Sequence, residues 1–151
     1  MVHFASTHPA QLWLYDLAGR RSQRIYPQAN DPLRDNFKRR LADVIDQAKC
    51  QKNDWACDPD QFSSHVEAVE FNEQSGAFAV QMIFSTEGFL TRDDAEKSGA
   101  RTKDEYVYIY RLGPLAWRAF PIHDLRPRFG TGSLTELLTP EKLPAVLVQP
   151  R

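Results

Sequence analysis

Two histidines beside strand-like runs, His65 and His123, come closest to catalytic use in this 151-residue chain. Histidine titrates near neutral pH and serves as acid, base or metal ligand. His65 follows Ser63-Ser64, and Asp54, Asp58 and Asp60 lie just upstream. This set defines one reading of the chain: a hydrolytic enzyme or small-ligand binder using His65 or His123 with loop carboxylates. The chemistry stops short of a motif. Ser63-Ser64-His65 has no nucleophile elbow, and His3, His8, His65 and His123 lack ligand spacing. The three aspartates do not follow the spacing of a Ca²⁺ loop, so a solvated acidic loop is expected there.

Other clusters weaken in the same way. Gly130-Thr131-Gly132-Ser133, with Arg126 and Arg128 nearby, resembles a phosphate cradle but lacks the spacing and the lysine of a nucleotide loop. A plain Gly-rich turn is expected. Arg20, Arg21 and Arg24, with Trp13 and Tyr15 on the neighbouring strand, set cations among aromatics, as RNA-binding surfaces do. A net charge of −1 and a pI near 6.4 argue against nucleic acid as a partner. No catalytic residue, metal or cofactor is assigned.

Cys50 and Cys57 bracket a polar stretch that contains Trp55. A disulfide closing this small loop implies an oxidising compartment, hence a periplasmic or otherwise exported protein; two reduced thiols are the cytoplasmic alternative. Met1-Val2-His3 lacks the basic start and apolar core of a signal peptide. No apolar run is long enough to span a bilayer. Large apolar residues inside polar loops are of more interest. Thr86-Glu87-Gly88-Phe89-Leu90 and Trp55 fit the pattern of anchors ringed by polar groups, by which interfaces concentrate energy. Covering the edge of their own core is the competing account.

The elements that must position these groups are mostly strands. Val69 and Phe71 alternate with Glu70 and Asn72, then Glu73-Gln74-Ser75-Gly76 turns the chain into the row Phe78, Val80, Met82, Phe84. Period two on both sides of a Gly-bearing break predicts a hairpin over 66–85, its second strand central. Tyr106, Tyr108 and Tyr110, a break at Gly113-Pro114 and a return through Trp117 to Pro121 predict another. Residues 86–103 between them predict a long exposed loop.

Upstream, residues 1–10 are expected to be an irregular leader. Leu12 to Pro27 reads as a hairpin that echoes 106–121, about 94 residues away. Leu14-Tyr15-Asp16-Leu17 matches Ile109-Tyr110-Arg111-Leu112, and Gln23 to Pro27 matches Trp117 to Pro121. Leu33-Arg34 and Phe37 are mirrored by Leu125-Arg126 and Phe129. Asp31 caps and Pro32 opens an amphipathic helix over about 31–49, with Leu33, Phe37 and Leu41 on one face. Residues 124–129 are expected to be irregular. Ser133 and Glu136 suggest a capping box on a short helix at about 134–138, and Ala145 to Val148 a terminal strand.

An apolar strand ending in Tyr-Asp-Leu, a Gly-bearing turn and a strand ending in aromatic-Pro resembles the outer half of a β-propeller blade. Residues 66–85 are similar to its inner half. The length is too short for a closed propeller, so the resemblance implies blade-like sheets only. In type, the chain is similar to small exported bacterial inhibitor or immunity proteins, which implies a toxin or hydrolase as partner and 86–103 as an inserting loop.

A single α+β domain over 1–151, mainly β, follows, with antiparallel hairpins and one amphipathic helix. The expected function is a non-enzymatic protein-binding module, monomer or homodimer. The third reading is a self-associating scaffold whose sheet edges pair with a copy of itself.

Overall fold

The structure, a computed structural model, describes residues 2–6, 11–16, 18–47, 63–85 and 103–148. The chain is mainly antiparallel sheet with few helices, the α+β class read from the sequence. Its contacts divide it into two units, residues 1–65 with 84–104 and residues 66–83 with 105–151.

The first unit begins with a three-stranded meander: β1 (Val2–Ser6), β2 (Leu12–Asp16) and β3 (Arg21–Tyr26). The expected irregular leader is therefore corrected. Val2 to Ser6 pairs along β2, from Val2 opposite Asp16 to Ser6 opposite Leu12. A five-residue segment without period or turn carries little signal of its own; its partner makes it a strand. β2 pairs β3 with Trp13 opposite Arg24 and Asp16 opposite Arg21.

After β3, α1 spans Pro32–Gln47. Asp31 Oδ1 accepts the amides of Leu33 (3.1 Å) and Arg34 (3.3 Å), satisfying donors that have no partner within the helix. The expected cap is thus formed, with Pro32 at the first helical position. Phe37 and Leu41 are buried, as are Leu12, Ile25 and Tyr26. Phe84 places its ring 5.4 Å from Phe37 and 6.4 Å from Tyr26. Arg34 lies over the Tyr26 ring, and Arg40 forms an ion pair with the buried Asp104.

Burial pushes the Tyr26 phenol above its ordinary value, while Arg34 pulls it down and Asp31 pushes it up. A raised folded value favours the neutral phenol, so this stabilisation is complete below the unfolded value of about 10 and fades as pH rises beyond it. Tyr26→Phe is expected to make the alkaline loss of stability shallower, read by urea melts from neutral pH to above pH ~10.

The four-stranded sheet runs β4 (Ser63–Asn72), β5 (Ala77–Ser85), β6 (Lys103–Arg111) and β7 (Ala116–Pro121), each beside the next. At the β4–β5 turn, Asn72 accepts the Ser75 amide on its side chain and the Gly76 amide on its carbonyl. Gly76 takes φ +67, a backbone that side chains with a Cβ rarely adopt. β5 is central, and only Gln81 of its residues is less than buried.

In the second unit, one face of the strands supplies Ala77, Ala79, Val107, Ile109 and Phe120 to a core completed by Leu125, Leu137, Leu138, Leu143 and Val146. On the other face Phe78 stacks on Tyr110 at 5.0 Å, and Tyr108 on Trp117 at 6.0 Å.

The C-terminal stretch departs from expectation in three places. Residues 122–129 are ordered as a 3-10 turn (Ile122–Asp124) and α2 (Leu125–Phe129), because Leu125 and the Phe129 ring pack on the sheet core. α3 (Leu134–Leu137) follows near the expected place, yet Ser133 makes no side-chain cap. Its amide donates instead to Thr131 Oγ1, and its hydroxyl meets that of Thr135. The expected terminal strand is α4 (Leu143–Leu147). Leu143 and Val146, three apart, reach the core only on a helix, and burial overrides the β preference of the run.

Arg118 fastens this end. It donates to the carbonyls of Val146 (3.1 Å) and Val148 at the end of α4, with its guanidinium 4.5 Å from the Phe120 ring centre. Burial and then Arg128 pull its pKa below the ordinary value. Arg118→Ala is expected to cost about 1–2 kcal/mol in urea unfolding, since helix-end carbonyls lose a charged donor. Arg118→Lys should recover less than half, since a compact ammonium does not lie on the Phe120 ring as the planar guanidinium does.

The two matched hairpins are each followed by a helix, with Leu33, Arg34 and Phe37 on α1 and Leu125, Arg126 and Phe129 on α2. The matched first strands stand one residue further apart in the chain than the matched second strands, and the turns are not the source of this offset. Strands end at Asp16 and Arg111 and resume at Arg21 and Ala116, an equal gap. The offset sits at a register irregularity between Leu12 and Trp13, which β6 and β7 lack.

Candidate binding surface at the tip of the first hairpin

The β2–β3 tip is organised by a carboxylate. Asp16 Oδ1 accepts the amides of Ala18 (3.1 Å) and Gly19 (3.2 Å), the side-chain turn that aspartate makes over the next two or three residues. Gly19 packs closely on this carboxylate: a Cβ there would stand 2.8 Å from Asp16 Oδ2 and push the side chain aside. Arg20 follows with φ +51, the left-handed region that a long side chain seldom enters. Strained backbone of this kind collects at ligand clamps and binding turns.

This turn carries two exposed arginines, with the exposed Tyr15 on β2 just before it. Tyr15, Asp16, Arg20, Arg21 and Ser22 line an open cleft of about 340 Å³. Tyr15 is 38% exposed, and Arg20 and Arg21 are exposed as well. Among the described residues no ion pair holds Arg20 or Arg21. Along β3 the exposed run continues through Ser22, Gln23 and Arg24. The surface is thus cationic with an amphipathic ring.

Gly19→Ala should shift the Asp16 carboxylate and weaken its two hydrogen bonds to the turn. The expected result is about 1–2 kcal/mol lower stability in thermal melts, together with altered amide shifts at 16–21.

Several sequence candidates lie outside the described residues: Trp55, Glu87, Phe89 and Leu90, the Cys50–Cys57 pair, and Asp54, Asp58 and Asp60. His65 is half-buried on β4. His123 is exposed in the 3-10 turn, its Nε2 3.3 Å from Asp124 Oδ1. Among the described residues no three of His, Cys, Asp or Glu gather as a metal group. Gly130 ends α2 with φ +75, its amide bonded to the Arg126 carbonyl, so this glycine serves a helix end.

Two features escaped the sequence reading. Val69 and Phe71, read as one row of a hairpin, are 41% and 53% exposed on β4, a terminal strand of its sheet. The other is the tip itself. The Arg and Tyr residues were visible as a basic patch, but the left-handed Arg20 was not.

No family model, curated protein or solved structure matches the chain. No helix among the described residues is long and apolar enough to cross a membrane.

Proposed function

We propose that the chain is a non-enzymatic protein-binding module of the inhibitor or immunity type, which presses the β2–β3 tip into an acidic cleft of a toxin or hydrolase. The observation that supports it most is the pair of exposed arginines on a turn held by Asp16, with the exposed Tyr15 lining the same open cleft. Arginine and tyrosine are the residues on which interface energy concentrates, since each joins a large apolar body to polar groups. A cation already oriented before contact loses less freedom on binding. Active-site clefts of hydrolases are commonly lined with carboxylates, and opposite charge raises the rate of encounter. Residues 86–103, with Phe89 and Leu90, are a second contact of the same partner, and Trp55 a third. The exported setting rests on a Cys50–Cys57 bond, which a thiol count under denaturing, non-reducing conditions tests.

The test is capture from the native host's soluble extract on the immobilised chain. The expected result is one stoichiometric partner with hydrolytic activity and an acidic cleft, released by high salt. Turnover of a hydrolase substrate by the purified chain itself, lost in His65→Ala or His123→Ala, would instead establish the enzymatic reading.

A further inference from the structure

β3 and β4 are both terminal strands of their sheets, and they carry opposite charge. On β4, Glu67, Val69, Glu70 and Phe71 are exposed, with Glu73 in the turn that follows. On β3, Arg21, Ser22, Gln23 and Arg24 are exposed, with Arg20 in the turn before. A terminal strand offers a row of backbone donors and acceptors to any chain of matching shape and charge.

The spacing matches as well. Glu67 and Glu70 stand three apart, as do Arg21 and Arg24. We infer that β4 takes β3 of a second copy of this chain as an added antiparallel strand, with Glu70 opposite Arg21 and Glu67 opposite Arg24. That register also sets Val69 opposite Ser22 and Phe71 opposite Arg20, so the exposed Phe71 ring lies under a guanidinium stem. Cross-strand pairs of opposite charge stabilise a ladder and like charges weaken it. Pairing β4 with itself gathers the glutamates of both copies, and pairing β3 with itself gathers the arginines. Only the mixed pairing joins opposite signs. The contact is head-to-tail, so it grows into short chains or closes into a ring. It also covers Arg21, and self-association then competes with the partner contact at the tip.

The test uses the purified full-length chain in sedimentation equilibrium, with no other protein present, so its outcome is independent of the inhibitor reading. Association is expected at high concentration and low salt, and it should be lost at high salt. Glu67→Arg with Glu70→Arg, and separately Arg21→Glu with Arg24→Glu, should each weaken it about tenfold or more. An equimolar mixture of the two variants should restore it, because each then offers the other an edge of opposite sign. Glu70→Gln and Arg21→Gln, which remove a charge without reversing it, should weaken it less. A strict monomer at every concentration overturns the inference. So does association indifferent to both reversals, or a mixture that stays as weak as its components.

Discussion

Replacing Phe84 by alanine is expected to lower the stability of the chain by about 3–5 kcal/mol, the cost of removing a buried aromatic side chain. Phe84 is wholly buried, and its ring lies between Tyr26 of β3 and Phe37 of α1. It therefore joins sheet residues to the helix within the first unit, at a point where both neighbours are themselves buried. Because domains of this size are stable by roughly 5–15 kcal/mol, such a loss takes away a large share. Phe84→Leu keeps most of the volume and should cost about 1–2 kcal/mol. Urea unfolding of the two variants checks this. A cost below about 1 kcal/mol for Phe84→Ala would mean that the ring cluster does not hold the unit together.

The second large effect concerns binding. Arg20→Glu with Arg21→Glu should raise the partner Kd about a hundredfold, or about 3 kcal/mol. Both guanidiniums are exposed and have no ion pair among the described residues, so reversing them breaks no ion pair. Arg21→Glu sets a second carboxylate opposite Asp16, so the melting temperature of the double variant should fall slightly, while Arg20→Glu alone should leave it close to that of the parent. Most of the loss should be reproduced by Tyr15→Ala together with either single reversal. Association should slow in the reversed chain and become less sensitive to salt, because attraction to an acidic cleft is what brings the partners together. A reversed chain that binds as tightly as the parent would remove the tip from the interface.

Much of this fold was legible because period and punctuation agreed. The reverse face of the 77–85 strand, Ala77, Ala79, Gln81 and Ile83, is less polar than a solvated face, which is why its central place could be read. Asp31-Pro32 states a helix start in two residues, each for a separate physical reason. What failed to show was decided by partners far away in the sequence. Val2 to Ser6 becomes a strand through β2, and Leu143 to Leu147 a helix through the core that receives Leu143 and Val146. Ser133 carries the letters of a capping box, yet Thr131 takes its amide first. Val69 and Phe71 obey the period of a half-buried strand but lie on a terminal one, and period alone does not say which strand ends a sheet.

The candidate site was half legible. Arg20, Arg21 and Tyr15 were recognisable as cations near an aromatic, and charge balance turned the reading away from nucleic acid. The positive φ of Arg20 and the contact of Gly19 with Asp16 belong to the backbone, where composition leaves no trace. The apolar anchors Phe89, Leu90 and Trp55 rest on sequence pattern alone.

The most direct measurement is the hydrolytic rate of the captured partner as the purified chain is titrated into it. The account predicts that activity falls linearly to near zero at one equivalent of chain, and that the chain with Arg20→Glu and Arg21→Glu leaves it almost untouched. Full activity under saturating chain, or equal block by the reversed tip, would contradict it.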